Sequence, residues 1–312
     1  MTTYKFTAFA PKRTVQAALL VHDALDEWDF DLVIAGREVA EDRPQEWVLE
    51  GWYPRKPGKT EVAAIAGLFT GEIPKITAEK LPDEDWLTLS QQGTQPISAG
   101  PFHVHTPDFP ARPDAIDFVI PAAQAFGTGQ HQTTAGCLEM LGLMKHQGIT
   151  PRRIADIGTG TGLLGFAALR LWPGAQSTAS DIDAVCAEVV KDNARANGFA
   201  MGARPGEMTM VVADGMDDQL LKLRGPYDLL MANILAGPLV ELAPDFAKSV
   251  TPRADVLFAG LLAGEQEGAV RSAYTKAGFM LRHRIQRGDW SILWLRRRIT
   301  GRDRARLRWH VG

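Results

Sequence analysis

The chain has 312 residues, of which 45% are hydrophobic, and a formal net charge of −3 at pH 7. This length exceeds one ordinary domain and the composition is sufficient for real cores, so a disordered chain is excluded and two domains are expected. No stretch approaches the roughly 20 apolar residues of a membrane span, and the first residues lack a signal peptide's apolar segment, so a cytoplasmic location is expected. The two cysteines, Cys137 and Cys186, have no spacing typical of a metal site or a disulfide framework.

The first 86 residues predict a small α+β domain. Strand-like alternation and helically spaced apolar residues give the order βαββαβ, which is typical of a ferredoxin-like fold. This part holds sixteen acidic and ten basic residues. It has neither a glycine loop nor a His/Cys cluster, so we expect it to bind a partner rather than to carry out chemistry. The predicted elements are strand 3–9, helix 11–25, strands 31–39 and 46–53, helix 61–69 and strand 73–79.

Residues 87–120 are expected to form a linker between this domain and a catalytic domain at 121–312. The linker is rich in proline, including Pro96, Pro101 and Pro107. Because proline has no backbone N–H and restricts its predecessor, long helices are excluded and one or two short strands are allowed.

From residue 121 onward, strands and helices alternate, a pattern typical of a parallel sheet covered by helices on both faces. The first segment is a loop rich in glycine and hydroxyl residues, A-F-G-T-G-Q-H-Q-T-T at 125–134. It leads into a helix for which Thr133 or Thr134 is the predicted N-cap. Strands are then predicted at 153–157, 177–180, 208–212, 228–232 and 255–259, helices at 163–171, 183–197, 235–250 and 265–277, and an edge hairpin at 279–285 and 290–295.

The stretch R-I-A-D-I-G-T-G-T-G-L-L-G at 153–165 joins the first of these strands to its helix. Gly158, Gly160 and Gly162 allow positive φ angles and a close approach of the backbone to a ligand, and the helix start offers unpaired N–H groups. The last six residues also match G-x-G-x-x-G, so an NAD-dependent oxidoreductase is an alternative. Asp156 favours S-adenosyl-L-methionine, because a carboxylate repels a pyrophosphate and can pair with the ammonium of the donor's amino-acid end.

Polar residues end the strands that follow, at the edge where ligands bind in such sheets. Asp181, about 20 residues beyond the glycine loop, is expected to accept from ribose hydroxyls, whereas Asp183 is better suited to cap the next helix. Asp214 can accept from an adenine amino group or cap a turn with Gly215. Asn233 ends the fourth strand, where it either orients an incoming amine or only shapes and caps the turn before the next helix.

Four segments together resemble a known family. They are the loop at 125–134, the glycine stretch at 153–165, S-D-I-D at 180–183 and M-A-N-I-L-A-G-P-L-V-E-L-A-P at 231–244. They resemble the PrmA-type methyltransferases of ribosomal protein L-eleven (L11), the stalk-base protein of the large subunit. The resemblance covers nearly the whole chain, although Gln132 stands where the family usually has proline.

The resemblance implies an α/β fold. A Rossmann-like class I methyltransferase domain, with a mostly parallel seven-stranded sheet and an antiparallel edge hairpin, would follow a small ferredoxin-like domain that recognises the substrate. The implied activity is S-adenosyl-L-methionine-dependent N-methylation of lysine side chains, the N-terminal α-amine, or both, in L11, free or on the large subunit. The related enzymes that methylate lysines of an electron-transfer flavoprotein subunit are the alternative, but they lack the separate N-terminal domain.

The resemblance also assigns roles to residues. By similarity, Thr134, Gly158, Asp181 and Asn233 are expected donor contacts. The position of Asn233 at the end of its strand makes it, in addition, the expected catalytic residue. We expect neither a metal, nor a membrane, nor nucleic acid to be required. Residues 296–312 hold seven arginines, of which Arg302, Arg304, Arg306 and Arg308 are predicted to form a solvated tail. The complete set of expected cofactor-binding positions is Phe126, Thr134, Asp156, Gly158, Gly160, Asp181, Asp214 and Asn233.

Overall fold

The computed structural model describes residues 4–23, 25, 28, 32–39, 45–80, 95–121 and 130–299. The chain divides into two compact units, Met1–Gly93 and Thr94–Gly312. In the part of the chain that the structure describes, no helix is long and apolar enough to cross a membrane.

The first unit is an antiparallel sheet packed against helices, as predicted. Its strands lie in the order β2-β3-β1-β4, so the βαββαβ expectation is confirmed. Alternate residues of the central strands, among them Phe6 and Leu49, are buried with Val15 and Ile65 of the helices. The elements are β1 (Tyr4–Pro11), α1 (Lys12–Asp23), β2 (Val33–Glu38), β3 (Glu46–Tyr53), α2 (Lys59–Gly67) and β4 (Ile76–Lys80).

A small sheet begins the second unit. It contains β5 (Ile97–Ala99), β6 (Phe102–His105) and β7 (Ile116–Val119), with β5 antiparallel and β7 parallel to β6. Phe102 and Phe118 belong to the core of the second unit. The described part of the stretch expected to be a linker is therefore folded onto the catalytic unit. The predicted boundary at residue 86 lies outside the described residues.

The main sheet has seven strands in the order β10-β9-β8-β11-β12-β14-β13. The first five are parallel, and β14 is antiparallel to both of its neighbours, as the sequence predicts. The elements are α3 (Gln130–His146), β8 (Arg153–Ile157), α4 (Leu163–Leu171), β9 (Gln176–Asp181), α5 (Val185–Ala196), β10 (Met208–Val212), α6 (Gln219–Arg224), β11 (Tyr227–Asn233), α7 (Ala236–Glu241), α8 (Ala243–Ser249), β12 (Val250–Leu262), α9 (Glu265–Lys276), β13 (Phe279–Arg287) and β14 (Trp290–Arg297).

Both faces of the main sheet are buried. Successive side chains of a strand point to opposite faces, and β8 shows the consequence. Ile154 joins a hydrophobic cluster with residues of α3 and α4, whereas Ala155 and Ile157 join a second cluster with residues of α8 and α9. The buried strands thus hold their carboxyl ends, and the loops that follow them, in fixed positions.

Two predicted helix boundaries are wrong. Helix α3 begins at Gln130, so Thr133 and Thr134 lie inside the helix and neither is its N-cap. The single helix predicted at 235–250 is two helices, α7 and α8, which meet at Leu242. Pro244 lies at the start of α8, and because proline has no N–H to donate, it favours a new start over a continuous helix.

Helix α6 was not expected from the sequence. It has six residues, too few to show a helical period. Its N-cap is Asp218, whose carboxylate accepts from the backbone N–H groups of Leu220 at 2.7 Å and Leu221 at 2.9 Å. A capping carboxylate satisfies N–H groups that the first turn leaves unpaired.

Candidate active site

The glycine loop lies between β8 and α4, at the carboxyl edge of the main sheet. The φ angles of Gly158, Gly160 and Gly162 are 68°, 55° and 82°, which confirms the expected positive values. The backbone N–H of Gly160 donates to a carboxylate oxygen of Asp181 at 2.8 Å. The loop following β8 is therefore bonded to the end of β9, and two of the expected cofactor-binding residues lie together.

Asp156 lies beneath this loop rather than on its surface. The residue is 1% exposed, and its Oδ2 accepts from the Thr159 hydroxyl at 2.7 Å and from the Gly165 N–H at 2.9 Å. Burial raises the pKa of its carboxyl group to about 6. The direct pairing with a ligand ammonium that the sequence suggested needs an exposed oxygen. We therefore interpret Asp156 as the residue that holds the loop and the start of α4 together.

The buried carboxyl group predicts a pH-dependent stability. The pKa of Asp156 is higher in the folded than in the unfolded chain, so between these two pKa values the folded state binds more protons. The protonated carboxyl group therefore stabilises the fold at low pH, and this stabilisation is lost as the pH rises through the folded pKa. Asp156→Asn removes the contribution. From about pH 4 to about pH 7, the free energy of unfolding of this variant, relative to the parent, should rise by roughly 2 kcal/mol.

Urea denaturation at several pH values measures this difference. The matched control is Asp192→Asn on the surface of α5, where the carboxylate is exposed and paired with Arg195. This control should follow the parent's pH dependence closely, because exposed ion pairs contribute little. If Asp156→Asn also followed the parent, Asp156 would not be the group that titrates.

Asp181 and Asp183 divide two tasks at the end of β9. Asp183 accepts from the Val185 N–H at 2.9 Å. The N-cap of α5 is Ala184, so Asp183 satisfies a first-turn N–H group from one residue before the cap. Asp181, bonded to Gly160, remains half exposed. Beside it, the apolar side chain of Ile182 is 70% exposed. A charged acceptor next to an exposed apolar surface is an arrangement that suits a sugar linked to a flat, partly apolar ring.

Asp214 is exposed in the turn after β10. The Asp217 N–H donates to its backbone carbonyl at 2.9 Å, so the turn is closed by the backbone and not by the side chain. Within the described residues, its carboxylate has no hydrogen-bond partner, which leaves it available to a ligand. Asp214 also borders a surface cleft of about 620 Å³, which Leu221 of α6 and Lys248 of α8 also line.

Asn233 is the last residue of β11 and is half buried. It pairs with Ala259 of β12, while Ala232 pairs with Ile157 of β8, so it lies beside the glycine loop. The N-cap of α7 is Leu235, without a side-chain cap bond. The Asn233 amide therefore does not cap that helix, and among the described residues it has no hydrogen-bond partner.

Sequence reasoning missed Asn193, which supports the loop from α5. Its side chain is 3% exposed and its amide donates to the Thr161 carbonyl at 3.0 Å. The signal was present in the sequence. Asn193 lies on the buried face of α5 with Val190 and Ala194, and a polar residue on an apolar helical face needs a partner.

The loop at 125–134 is described only in part. Phe126 and the side chain of His131 lie outside the described residues, so their predicted positions stay predictions. Thr134 is half buried, and its hydroxyl has no partner in the described part of the chain. The side chain of Gln132 lies against Gly288, in the turn between β13 and β14.

Comparison with known proteins identifies the family. The family model for ribosomal protein L11 methyltransferase (PrmA) matches residues 22–298. The chain belongs to this family. The ribosomal protein L11 methyltransferase of Agrobacterium fabrum is 35% identical over 272 residues, covering 86% of this chain and 90% of that protein. The enzyme of the same name from Sinorhizobium fredii is 40% identical over 226 residues, covering 70% and 74%.

A solved PrmA-family structure agrees with this assignment. The ribosomal protein L11 methylase from Lactobacillus delbrueckii subsp. bulgaricus is similar with a TM-score of 0.54 and 27% identity, covering 66% of this chain and 100% of that one. The resemblance found in the sequence is thus confirmed, as is the predicted fold of both units.

Proposed function

We propose that this PrmA-family protein is an S-adenosyl-L-methionine-dependent N-methyltransferase of ribosomal protein L11, acting on lysine side chains, the N-terminal α-amine, or both. One observation carries the mechanism. The Asn233 amide has no partner among the described residues, and it ends the strand next to the glycine loop. A free amide at the carboxyl edge of a parallel sheet is available to hold a substrate group.

The residues around the loop fit the proposed donor. Asp181 would accept from the ribose hydroxyls, Asp214 from the adenine amino group, and the exposed Ile182 would cover the adenine ring. Gly158 and Gly160 would let the backbone approach; a side chain at Gly160 would project into open space, with no atom within 4 Å. Thr134 would bind the amino-acid end of the donor. Phe126, which lies outside the described residues, is part of the same proposal.

Asn233 would orient the incoming amine. When bound, S-adenosyl-L-methionine supplies an electrophilic methyl group on a sulfonium. The Asn233 side-chain oxygen, with the backbone carbonyl of Ile234, would accept hydrogens from the amine nitrogen and direct its lone pair. An amide suits this task better than a carboxylate, because a negative charge favours the ammonium form, which has no lone pair. The chemistry therefore depends on orientation more than on a strong general base.

Thr134→Ala should weaken donor binding by roughly tenfold to a hundredfold, because a hydroxyl that donates to a carboxylate contributes about 1.5–3 kcal/mol. Isothermal titration with S-adenosyl-L-methionine measures the effect. Thr134→Ser keeps the hydroxyl and should bind like the parent. If the alanine variant bound the donor with the parent's affinity, the hydroxyl would have no part in the site.

The substrate assignment is tested by mass spectrometry of ribosomal proteins from a strain that lacks this enzyme. We expect L11 to be unmethylated there and methylated again when the gene is restored. Unchanged L11 methylation would refute the assignment. Titration of the purified protein with NAD, which should not bind, separates the proposal from the oxidoreductase alternative.

A further inference from the structure

The segment that carries Asn233 passes between two glycines. Strand β11 lies between β8 and β12 in the main sheet, and all three end at the same edge. The first residue after β8 is Gly158, and Gly260 follows the Ala259 that pairs with Asn233. Both glycines have positive φ angles, 68° and 85°. Ile234, the residue after Asn233, therefore has a glycine on each side.

The two glycines contact different parts of Ile234. A Cβ atom at Gly158 would overlap the Ile234 side chain at Cγ2. A Cβ atom at Gly260 would overlap the Ile234 carbonyl oxygen and lie 2.8 Å from its carbonyl carbon and 3.1 Å from its nitrogen. The peptide group of Ile234 is thus packed directly on the bare Cα of Gly260. A residue with a side chain at 260 cannot keep this packing, because backbone atoms do not rotate away.

We propose that Gly260 is a positioning residue for methyl transfer. Its bare Cα fixes the Ile234 peptide, and with it the direction of the Ile234 carbonyl and the position of the Asn233 amide. The inference rests on the proposed function, in which these two groups hold the amine. Gly260 itself makes no contact with the substrate and acts only through Ile234. Since a displacement of about 1 Å at reacting groups can cost about 10²-fold in rate, a fixed peptide at this point matters for turnover.

The test compares Gly260→Ala with Gly278→Ala. Gly278 also has a positive φ, 95°, but a Cβ there would have no atom within 4 Å. Both substitutions strain the backbone, and only the first displaces Ile234. Gly260→Ala should lower the kcat for L11 methylation by about 10²-fold, with no more than the moderate loss of donor affinity expected for Asn233→Ala. Gly278→Ala should keep the parent kcat, although its melting temperature falls.

Two results would overturn the proposal: a kcat for Gly260→Ala no lower than that of Gly278→Ala, or a loss of donor binding that accounts for the whole fall in kcat. A crystal structure of Gly260→Ala gives a readout independent of activity, since an Ile234 carbonyl in its parent position contradicts the inference. A parent protein that does not methylate L11 refutes the proposed function, and the crystal structure still decides the role of Gly260.

A second variant covers the case in which Gly260→Ala does not fold. Ile234→Gly frees the same peptide without adding an atom, so it introduces no overlap. It should lower kcat by about tenfold or more, again with no more than a moderate loss of donor affinity. A parent-like kcat for Ile234→Gly would show that the fixed Ile234 peptide is not needed for turnover.

Discussion

Asn233→Ala should lower the turnover of L11 methylation by about 10²-fold or more, with only a moderate loss of donor affinity. The Asn233 amide has no partner among the described residues, so its removal breaks no bond within the fold. The loss should therefore appear in kcat rather than in stability. Single-turnover rates with saturating donor, together with melting temperatures, measure the two separately.

Asn233→Asp is the matched variant, because it keeps the size of the side chain and adds a negative charge. Near neutral pH it should be no better than Asn233→Ala, since a carboxylate stabilises the protonated amine. If either variant methylated L11 at the parent rate, the geometry of the amine would be set by other groups, and Thr133 and Thr134 would be the next residues to test.

Removal of the first unit should abolish most methylation of intact L11 while leaving donor binding unchanged. The unit Met1–Gly93 is compact by itself, and all the expected donor contacts lie in the second unit. Its predicted role is recognition, on the basis of its acidic balance and its lack of a chemical motif. A chain that starts at Thr94 therefore keeps the site and loses the substrate contact. Titration with S-adenosyl-L-methionine and methylation assays on purified L11 measure the two properties.

The control for this truncation is the separately produced first unit, added back in excess. It should bind L11 in a pull-down without conferring donor binding. Full methylation of L11 by the chain that starts at Thr94 would show that recognition lies in the second unit. If the chain that starts at Thr94 did not bind the donor, the second unit would need the first for its fold. This would contradict the prediction that the first unit recognises L11 and the second binds the donor.

The periodic parts of the fold could be predicted from the sequence. The predicted bounds of strand β10, 208–212, are those of the structure. A short apolar run bounded by turn residues predicts a buried strand when the neighbouring segments alternate between strands and helices. The bond between Asp181 and Gly160 follows from the same logic, since the carboxyl ends of adjacent parallel strands meet at one edge.

Other features could not be predicted from the period of the apolar residues. The charge of Asp156 suggests a contact with a ligand, but the folded loop buries this side chain, which accepts from Thr159 and Gly165 instead. The role of Gly260 depends on the Ile234 backbone, which is distant in sequence. Helix α6 has six residues, too few to show a helical repeat of apolar positions, and the structure shows that it begins at its N-cap, Asp218.

The mass of purified L11, measured after incubation with this protein and S-adenosyl-L-methionine, shows directly whether the chain methylates L11. We expect L11 to gain whole methyl groups that peptide mapping assigns to lysine side chains, the N-terminal α-amine, or both. Samples without the donor should show no gain. An L11 of unchanged mass, in a sample where titration proves that the donor is bound, would contradict the claim that this chain methylates L11.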